Sequence, residues 1–534
     1  MIIRHTHEDI AYTVLSALES MKQTGDKMLE FEKGRYNFYP DYAAERVSCI
    51  LNHDNDGYKK IGIPIIDFDG ITIEGNGAEL IFHGVMVPIE ITNSRDVTVK
   101  NLSVDYPVAQ YAHATVLESG EKLLKIKIWD NSPFKVVNHS LKFTMPGAKD
   151  AEAEFFLDID SETDFITEGT SRTLIKDMDA FADENNTSVV TLSGKRLDCV
   201  PKPGNTLCIH FGERYACGVF MDYSKNVTLE NVTLHHALGM GVLCQKSENI
   251  TLEALKITPS DGRYVSSYAD ATHFVNCRGN ITLNNCFFEK HFDDCLNCHG
   301  IYMQIDKFID KRTVLARFVH HQQLGVDIFE AGESVEFINH NTLMDVQKNI
   351  VKSVKQISRS LCVIEFENET DKNINLKDCI ESLDAAPNLT VTNCTMQKAF
   401  PRGLLITTRG KVRVENNRFN TFGSCIHISG DTNHWFESGC VRDVTIRNNI
   451  FDRCGIIGKR SVNHNVINIF PQIPCPNEKD GYYHKNIIVT NNTFITAHPH
   501  VLKAVSTENL VFKDNEFDIA DTVYMLDVVK GDVE

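Results

Sequence analysis

The sequence predicts an all-β chain folded as a parallel β-helix, with two antiparallel β insertions and one capping helix. Three observations predict it. One phrase recurs: a polar residue, an apolar-Thr-apolar triplet, then Asn or Asn-Asn and a further apolar pair. It reads Asp96-Val-Thr-Val-Lys-Asn-Leu-Ser-Val104, Asn280-Ile-Thr-Leu-Asn-Asn-Cys-Phe-Phe288 and Asp443-Val-Thr-Ile-Arg-Asn-Asn-Ile-Phe451, with further copies beginning at 226, 249, 388, 411, 486 and 509. Several copies lie 23 residues apart (226 to 249, 388 to 411, 486 to 509), a period that marks stacked structural repeats. Within each copy apolar and polar residues alternate, which is strand periodicity. A coil of this length with two or three short strands is one rung of a solenoid, and equivalent residues of successive rungs then stack about 4.8 Å apart.

The elements follow in order. Residues 1–108 hold the N-terminal cap and the first rungs: Asp9–Met21 places Ile10, Val14, Leu18 and Met21 at helical spacing. A helix there covers the open end of the solenoid, which is otherwise an unpaired sheet edge. Residues 109–212 break the repeat with alternating stretches such as Leu124-Lys-Ile-Lys-Ile128 and a turn-rich acidic run, Asp158-Ile-Asp-Ser-Glu-Thr-Asp164. Residues 213–302 return to the repeat, and 303–380 leave it again through Thr313–Val319 and Leu361–Phe366. Both interruptions read as antiparallel barrel-like domains that could wall a site. Residues 381–534 supply the last rungs. Asn and Gly at the rung corners tolerate left-handed backbone. The Asn-x-Thr triplets fall at one phase of the repeat and so read as internal Asn and Thr ladders rather than glycosylation acceptors.

Composition narrows the partners. A net charge of −18 disfavours nucleic acid, whose phosphates need basic surface. No apolar run reaches the roughly 18 residues of a membrane span. The first residues lack the basic and apolar regions of a signal peptide, so the expectation is a cytoplasmic protein or one whose signal has been removed. Several of the sixteen cysteines sit within apolar strand segments, such as Asn-Asn-Cys286, and buried free thiols are the better reading than a disulfide framework.

The chemistry concentrates in His291-Phe-Asp-Asp-Cys-Leu-Asn-Cys-His-Gly300. Asp293 and Asp294 are adjacent, and Asp270 lies 23 residues before Asp293, one short repeat away. One face of the solenoid should therefore carry three carboxylates. Glycosidic cleavage needs a proton donor and a water-activating base, both usually carboxyl groups. Crowding three should raise at least one pKa and leave an acid at neutral pH. Cys295-Leu-Asn-Cys-His299 matches a haem-attachment pattern and could be read as three zinc ligands. Its place inside a rung, the lack of a second match and the missing fourth ligand argue against both, and no metal or cofactor is expected.

At these residues the chain resembles glycoside hydrolase family 110, the exo-acting α-1,3-galactosidases. The resemblance rests on Asn76–Gly84, Asn101–Tyr106, Asp270–Gly279, Asp293–Gly300, Arg402–Thr408 and Trp435–Asn449, and spans nearly the whole chain. It implies a right-handed β-helix with β-barrel insertions and an inverting, metal-free mechanism. It also implies substrates ending in α-1,3-linked galactose, including the blood-group B epitope, and Asp270, Asp293 and Asp294 as catalytic carboxylates. By analogy with the β-helical polygalacturonases, Asp293 would protonate the leaving oxygen while Asp270 and Asp294 activate water. Trp435 is a candidate for stacking on galactose; Glu437, Arg263, His273, Asn297 and His299 are candidates for binding sugar hydroxyls. The flat sides of a solenoid also suggest a homodimer. The competing readings are a polygalacturonase-like hydrolase, which would want basic residues for a uronate, and a non-catalytic carbohydrate-binding β-helix, which would not need three carboxylates.

Overall fold

The computed structural model describes every residue except 54–56, 168–169, 171, 456–464, 496–498 and 519–521. It is a parallel β-helix whose recurring phrase stacks as a continuous column. Ile71, Val97, Val227, Ile250, Ile281, Leu389, Val412, Val444, Ile487 and Leu510 pair in parallel register from rung to rung. All ten are buried, as the inward phase of a period-2 strand requires. The step from Val97 to Val227 passes over the first insertion, and that from Ile281 to Leu389 over the second. In both places the chain returns in register, so the insertions hang from the solenoid without dividing its core.

A second inward column ends in an aromatic stack. The rings of Phe419, Phe451, Phe494 and Phe517 lie 5.2, 4.8 and 5.0 Å apart and within about 20° of parallel, a spacing dictated by the rung repeat. Burying each such ring contributes roughly 1.5–3 kcal/mol.

The corners use asparagine in two ways. The first Asn of each pair takes left-handed backbone: φ is 60° at Asn416, 58° at Asn448 and 55° at Asn491, a region where Asn is among the few tolerated residues. The second Asn turns inward. Asn417 Nδ2 donates to Asn449 Oδ1 at 3.0 Å, Asn449 to Asn492 at 3.0 Å and Asn492 to Asn515 at 3.0 Å. Each amide also donates to a main-chain carbonyl, of Val391, Val414, Ile446 and Val489. In earlier rungs this inward position holds Leu102, Val232, Leu255, Cys286 and Cys394. The Asn-x-Thr asparagines behave otherwise, and correct the expectation of an internal ladder there. Asn226, Asn249 and Asn388 join rungs on the outer surface, through Asn249 to Asn226 (3.1 Å) and Asn388 to Asn280 (3.1 Å). At Asn226 and Asn249 left-handed backbone at the outer corner, φ 56° and 58°, turns the side chain away from the core.

The one long helix among the described residues, Ala11–Thr24, buries Ala11, Val14, Ala17, Leu18 and Met21 on the solenoid core and ends at Gly25, φ 78°. It is not long and apolar enough to cross a membrane, nor is any other described helix. The first insertion is a ten-stranded antiparallel sheet within Tyr111–Phe211; the second is a closed six-stranded barrel within Met303–Ser382. The cysteines are free, and most are buried.

The chain leaves the solenoid for the barrel along strand Leu296–Ile301, whose end pairs antiparallel with Glu437–Ser438. Gly300 is therefore a residue within a strand. A Cβ there would meet Ser438 Oγ at 2.4 Å, so the absence of a side chain permits the contact.

Two stability predictions follow from this architecture. Asn449→Ala removes the partner of the Val414 carbonyl and of the Asn417 main-chain N–H in the core and should cost about 3 kcal/mol, whereas Asn226→Gly, which keeps the left-handed corner, should change stability by less than about 0.5 kcal/mol; chemical denaturation measures both. Gly300→Ala should lower Tm, and Ser438→Ala in the same chain should restore most of the loss, because the next contacts of the new methyl lie at 3.5 and 3.7 Å.

Candidate active site

Three stacked strands, Thr272–Val275, Leu296–Ile301 and Leu404–Thr407, form the wall of the site. Their register is Thr272 to Leu296 to Leu404, a step of 24 residues rather than 23 between the first two. Asp294, not Asp293, therefore lies on the rung directly beneath Asp270, with Arg402 beneath it in turn. The backbone confirms the column: Ala271 N–H donates to Asp294 O at 2.8 Å and Cys295 N–H to Arg402 O at 3.3 Å.

Asp270, Asp293 and Asp294 bring carboxylate oxygens within 4.8 Å of one another. Asp270 and Asp294 are buried and Asp293 is partly exposed. Two guanidiniums offset this crowding. Arg402 Nε donates to Asp294 Oδ1 at 2.7 Å and Nη2 lies 4.0 Å from Asp293; Arg214 Nη2 donates to Asp293 Oδ2 at 3.0 Å. Oxygens this close could gather a cation, but the two guanidiniums already supply positive charge, and no metal is assigned. Burial lifts Asp294 to about 7 against the opposing pull of Arg402. Burial, with Asp293 and Asp294 adding like charge, holds Asp270 well above the usual carboxylate range.

The carboxylates sit in a pocket lined also by Asn52, His273, Asn297, His427, Asp431, Trp435 and Glu437. His273 Nδ1 is 2.7 Å from Asp270 Oδ2, and its Nε2 is 2.9 Å from His299 Nε2. Asn297 Nδ2 donates to Glu437 Oε1 at 3.3 Å, which leaves Asn297 Oδ1 without a protein partner. Buried Asn52 Oδ1 is likewise unpartnered.

Trp435 lines the pocket on a loop folded around Asp431, whose carboxylate accepts the main-chain N–H groups of Asn433, His434 and Trp435 at 2.6, 2.9 and 2.5 Å. The barrel insertion braces this wall. Gln323 Nε2 donates to Trp435 O at 2.8 Å, the His320 ring lies 4.4 Å from the indole, and Gln322 O accepts from Asn52 N–H at 2.9 Å. The first insertion contributes through its exit, which delivers Arg214 three residues beyond strand Thr206–Phe211.

Of the residues singled out in the sequence, Asp270, Asp293, Asp294, His273, Asn297, Trp435 and Glu437 meet in the pocket. Two do not. Arg263 is spent on Asp105 Oδ1 at 2.7 Å and Tyr106 O at 2.6 Å, because its loop lies over an earlier rung. His299 is buried behind His273, 3.6 Å from Glu437 Oε1. Cys295 and Cys298 belong to the solenoid core, whereas His299 lies on the other face of its strand, so they share no haem or zinc site. Arg214, Arg402 and Asn52 were not singled out. Arg402 is 108 residues from Asp294, a rung spacing hidden by the barrel; Arg214 and Asn52 carry no repeat signal at all.

Comparison with known proteins places this geometry. Residues 313–380 match the model of the GLAA-B β-barrel domain II. The chain is 33% identical over 96% of its length, and 88% of the other, to alpha-1,3-galactosidase B of Phocaeicola vulgatus. It is 32% identical to alpha-1,3-galactosidase B of Bacteroides thetaiotaomicron (96% and 83% covered) and 31% identical to alpha-1,3-galactosidase A of Shewanella woodyi (95% and 83% covered). Among solved structures, a mutant tailspike protein of E. coli bacteriophage HK620 in complex with pentasaccharide aligns at TM-score 0.44 and 10% identity, over 99% of this chain and 63% of that one. The A-module of an Azotobacter vinelandii mannuronan C-5 epimerase aligns at 0.43 and 9%, over 99% and 96%. The similarity to the galactosidases covers nearly the whole chain, and the chain belongs to glycoside hydrolase family 110, the family of the α-1,3-galactosidases.

Proposed function

We propose that this enzyme releases terminal α-1,3-linked galactose from glycans, acting from the chain end with inversion. The observation that carries the reading is the set of three carboxylates within 4.8 Å, held against two guanidiniums on the wall of a pocket. A pocket, rather than an open cleft, suits a terminal sugar. Trp435 offers the indole surface on which a galactose ring can stack, and the side chains of Asn297 and Glu437 line the same pocket. The substrate is neutral on this reading: Arg214 and Arg402 are both engaged with aspartates, which leaves no guanidinium free for a uronate among the described residues that line the pocket.

The acid and base roles follow from where protons sit. Asp294, at about 7, holds a proton near neutral pH and suits the general acid, whose pKa should lie near the working pH. Asp293, ion-paired with Arg214 and the most exposed of the three, is the carboxylate that takes the proton of the attacking water. Asp270 positions that water. This reverses the roles that the polygalacturonase analogy gives Asp293 and Asp294. The close spacing favours one other reading: inverting pairs usually stand about 6.5–9.5 Å apart and retaining pairs about 5–5.5 Å, so a covalent intermediate is the rival mechanism. Residues 109–212 and 303–380 act in this proposal as walls that fix Arg214, Asn52 and Trp435, between solenoid segments 1–108, 213–302 and 381–534.

Three expected outcomes test the proposal. Incubation with linear Galα1-3Gal and with the fucosylated B trisaccharide should release galactose, and NMR should show β-galactose as the first anomer; α-galactose first would establish retention, and no release from either glycan would overturn the assignment. Asp293→Asn and Asp294→Asn should each lose about 10²–10⁴ of kcat, but on an aryl galactoside with a good leaving group the Asp294 variant should recover and the Asp293 variant should not; the reverse pattern would return the acid role to Asp293. Because Asp294 must hold its proton, kcat should fall as pH rises through about 7, and the Asp294 variant should lose that limb of the profile.

A further inference from the structure

The chain of contacts behind Asp270 has three links: Asp270 Oδ2 to His273 Nδ1 at 2.7 Å, His273 Nε2 to His299 Nε2 at 2.9 Å, and His299 Nδ1 to Gly300 O at 2.7 Å. Each link needs one hydrogen. Gly300 O is a carbonyl and only accepts, so the hydrogen of the last link lies on His299 Nδ1. A neutral His299 then presents a lone pair at Nε2, and the middle hydrogen must come from His273 Nε2. A neutral His273 in turn presents a lone pair at Nδ1, and the first hydrogen must come from Asp270. If Asp270 were ionised beside two neutral histidines, one of the three contacts would set two lone pairs against each other in a buried site, where an unmade hydrogen bond is costly.

We propose that His273 and His299 are positioning residues that keep Asp270 protonated and uncharged in the resting enzyme. Asp270 then adds no charge to the cluster, in which Arg214 bonds Asp293 and Arg402 bonds Asp294. The same three hydrogens would fit an ionised Asp270 beside one doubly protonated histidine, His273 or His299. The surroundings oppose both forms: each ring is buried, where an added charge is costly, and His299, Arg214 and His53 all disfavour a positive charge on His273. Asp270 faces Asp293 and Asp294, which oppose its ionisation, and Arg214 and Arg402, which favour it but are hydrogen-bonded to the other two aspartates. Glu437 is the remaining acid near the chain, 3.6 Å from His299 Nε2, beyond hydrogen-bond reach. With Oδ2 donating to His273, Oδ1 of Asp270 is left as a neutral acceptor, the orientation that lets it hold a water without competing for its proton.

The role of Asp270 in turnover rests on the function proposed above; its protonation state does not, and the test is chosen to separate them. Difference infrared spectroscopy of the purified enzyme near neutral pH, wild type against Asp270→Asn, should show the carbonyl band of a protonated carboxyl that the variant lacks. His299→Leu, which removes the acceptor for His273 Nε2–H, should lose that band at the same pH. His299→Gln, whose amide oxygen can still accept, should keep it. A wild-type enzyme without the band, or a folded His299→Leu variant that retains it, would overturn the proposal. If His299→Leu does not fold, the wild-type comparison with Asp270→Asn still decides. A band present in an enzyme that releases no galactose would count against the proposed function alone.

Discussion

The parallel hydrogen-bond register between rungs is the constraint on which the rest of this structure depends. Once Thr272 pairs with Leu296 and Leu296 with Leu404, Asp270, Asp294 and Arg402 have nowhere to go but one above another. The solenoid pins that register from several sides: a buried aliphatic column, a stack of phenylalanines and a ladder of buried asparagine amides. A slip of one residue would turn every inward side chain outward, so the same forces that build the core also fix the carboxylates. The site is thus placed by packing far larger than itself.

Such placement has an electrostatic cost, because a rung repeat stacks like charge on like charge. Two devices offset it. Arg402, one rung on, and Arg214, from the exit of the first insertion, each bond one aspartate. Asp270 has no guanidinium of its own and is backed instead by two histidines that end on a main-chain carbonyl. The three carboxyls are chemically identical in sequence and differ only in what stands behind them, which is enough to set their proton affinities apart.

The insertions make a pocket out of a flat wall. A bare β-helix face offers little enclosure. Here the barrel's turn around His321–Gln323 meets both Asn52 and Trp435, while Asp431 folds the loop that carries the indole. These segments enter from different points of the chain and meet the rungs at one place because both insertions leave and rejoin the solenoid in register.

The sequence by itself determined the repeat, the strand phase, the capping helix, the buried free thiols and the three carboxylates, because each is a local pattern repeated at a fixed interval and physical chemistry reads such patterns directly. It also carried Trp435 and Glu437 through their family resemblance. Only the tertiary structure decided which aspartate stacks on Asp270, since a 24-residue step and a 23-residue step look alike in a repeat of variable length. Only the fold revealed Arg214, Arg402 and Asn52, whose partners are 79, 108 and, for the Asn52 carbonyl and Arg214, 162 residues away in the chain. It removed Arg263 from the site and moved His299 behind it, because a side chain's role depends on which partner reaches it first. Spacing announces stacking; the direction of a side chain and the identity of its neighbour are properties of the packed coil alone.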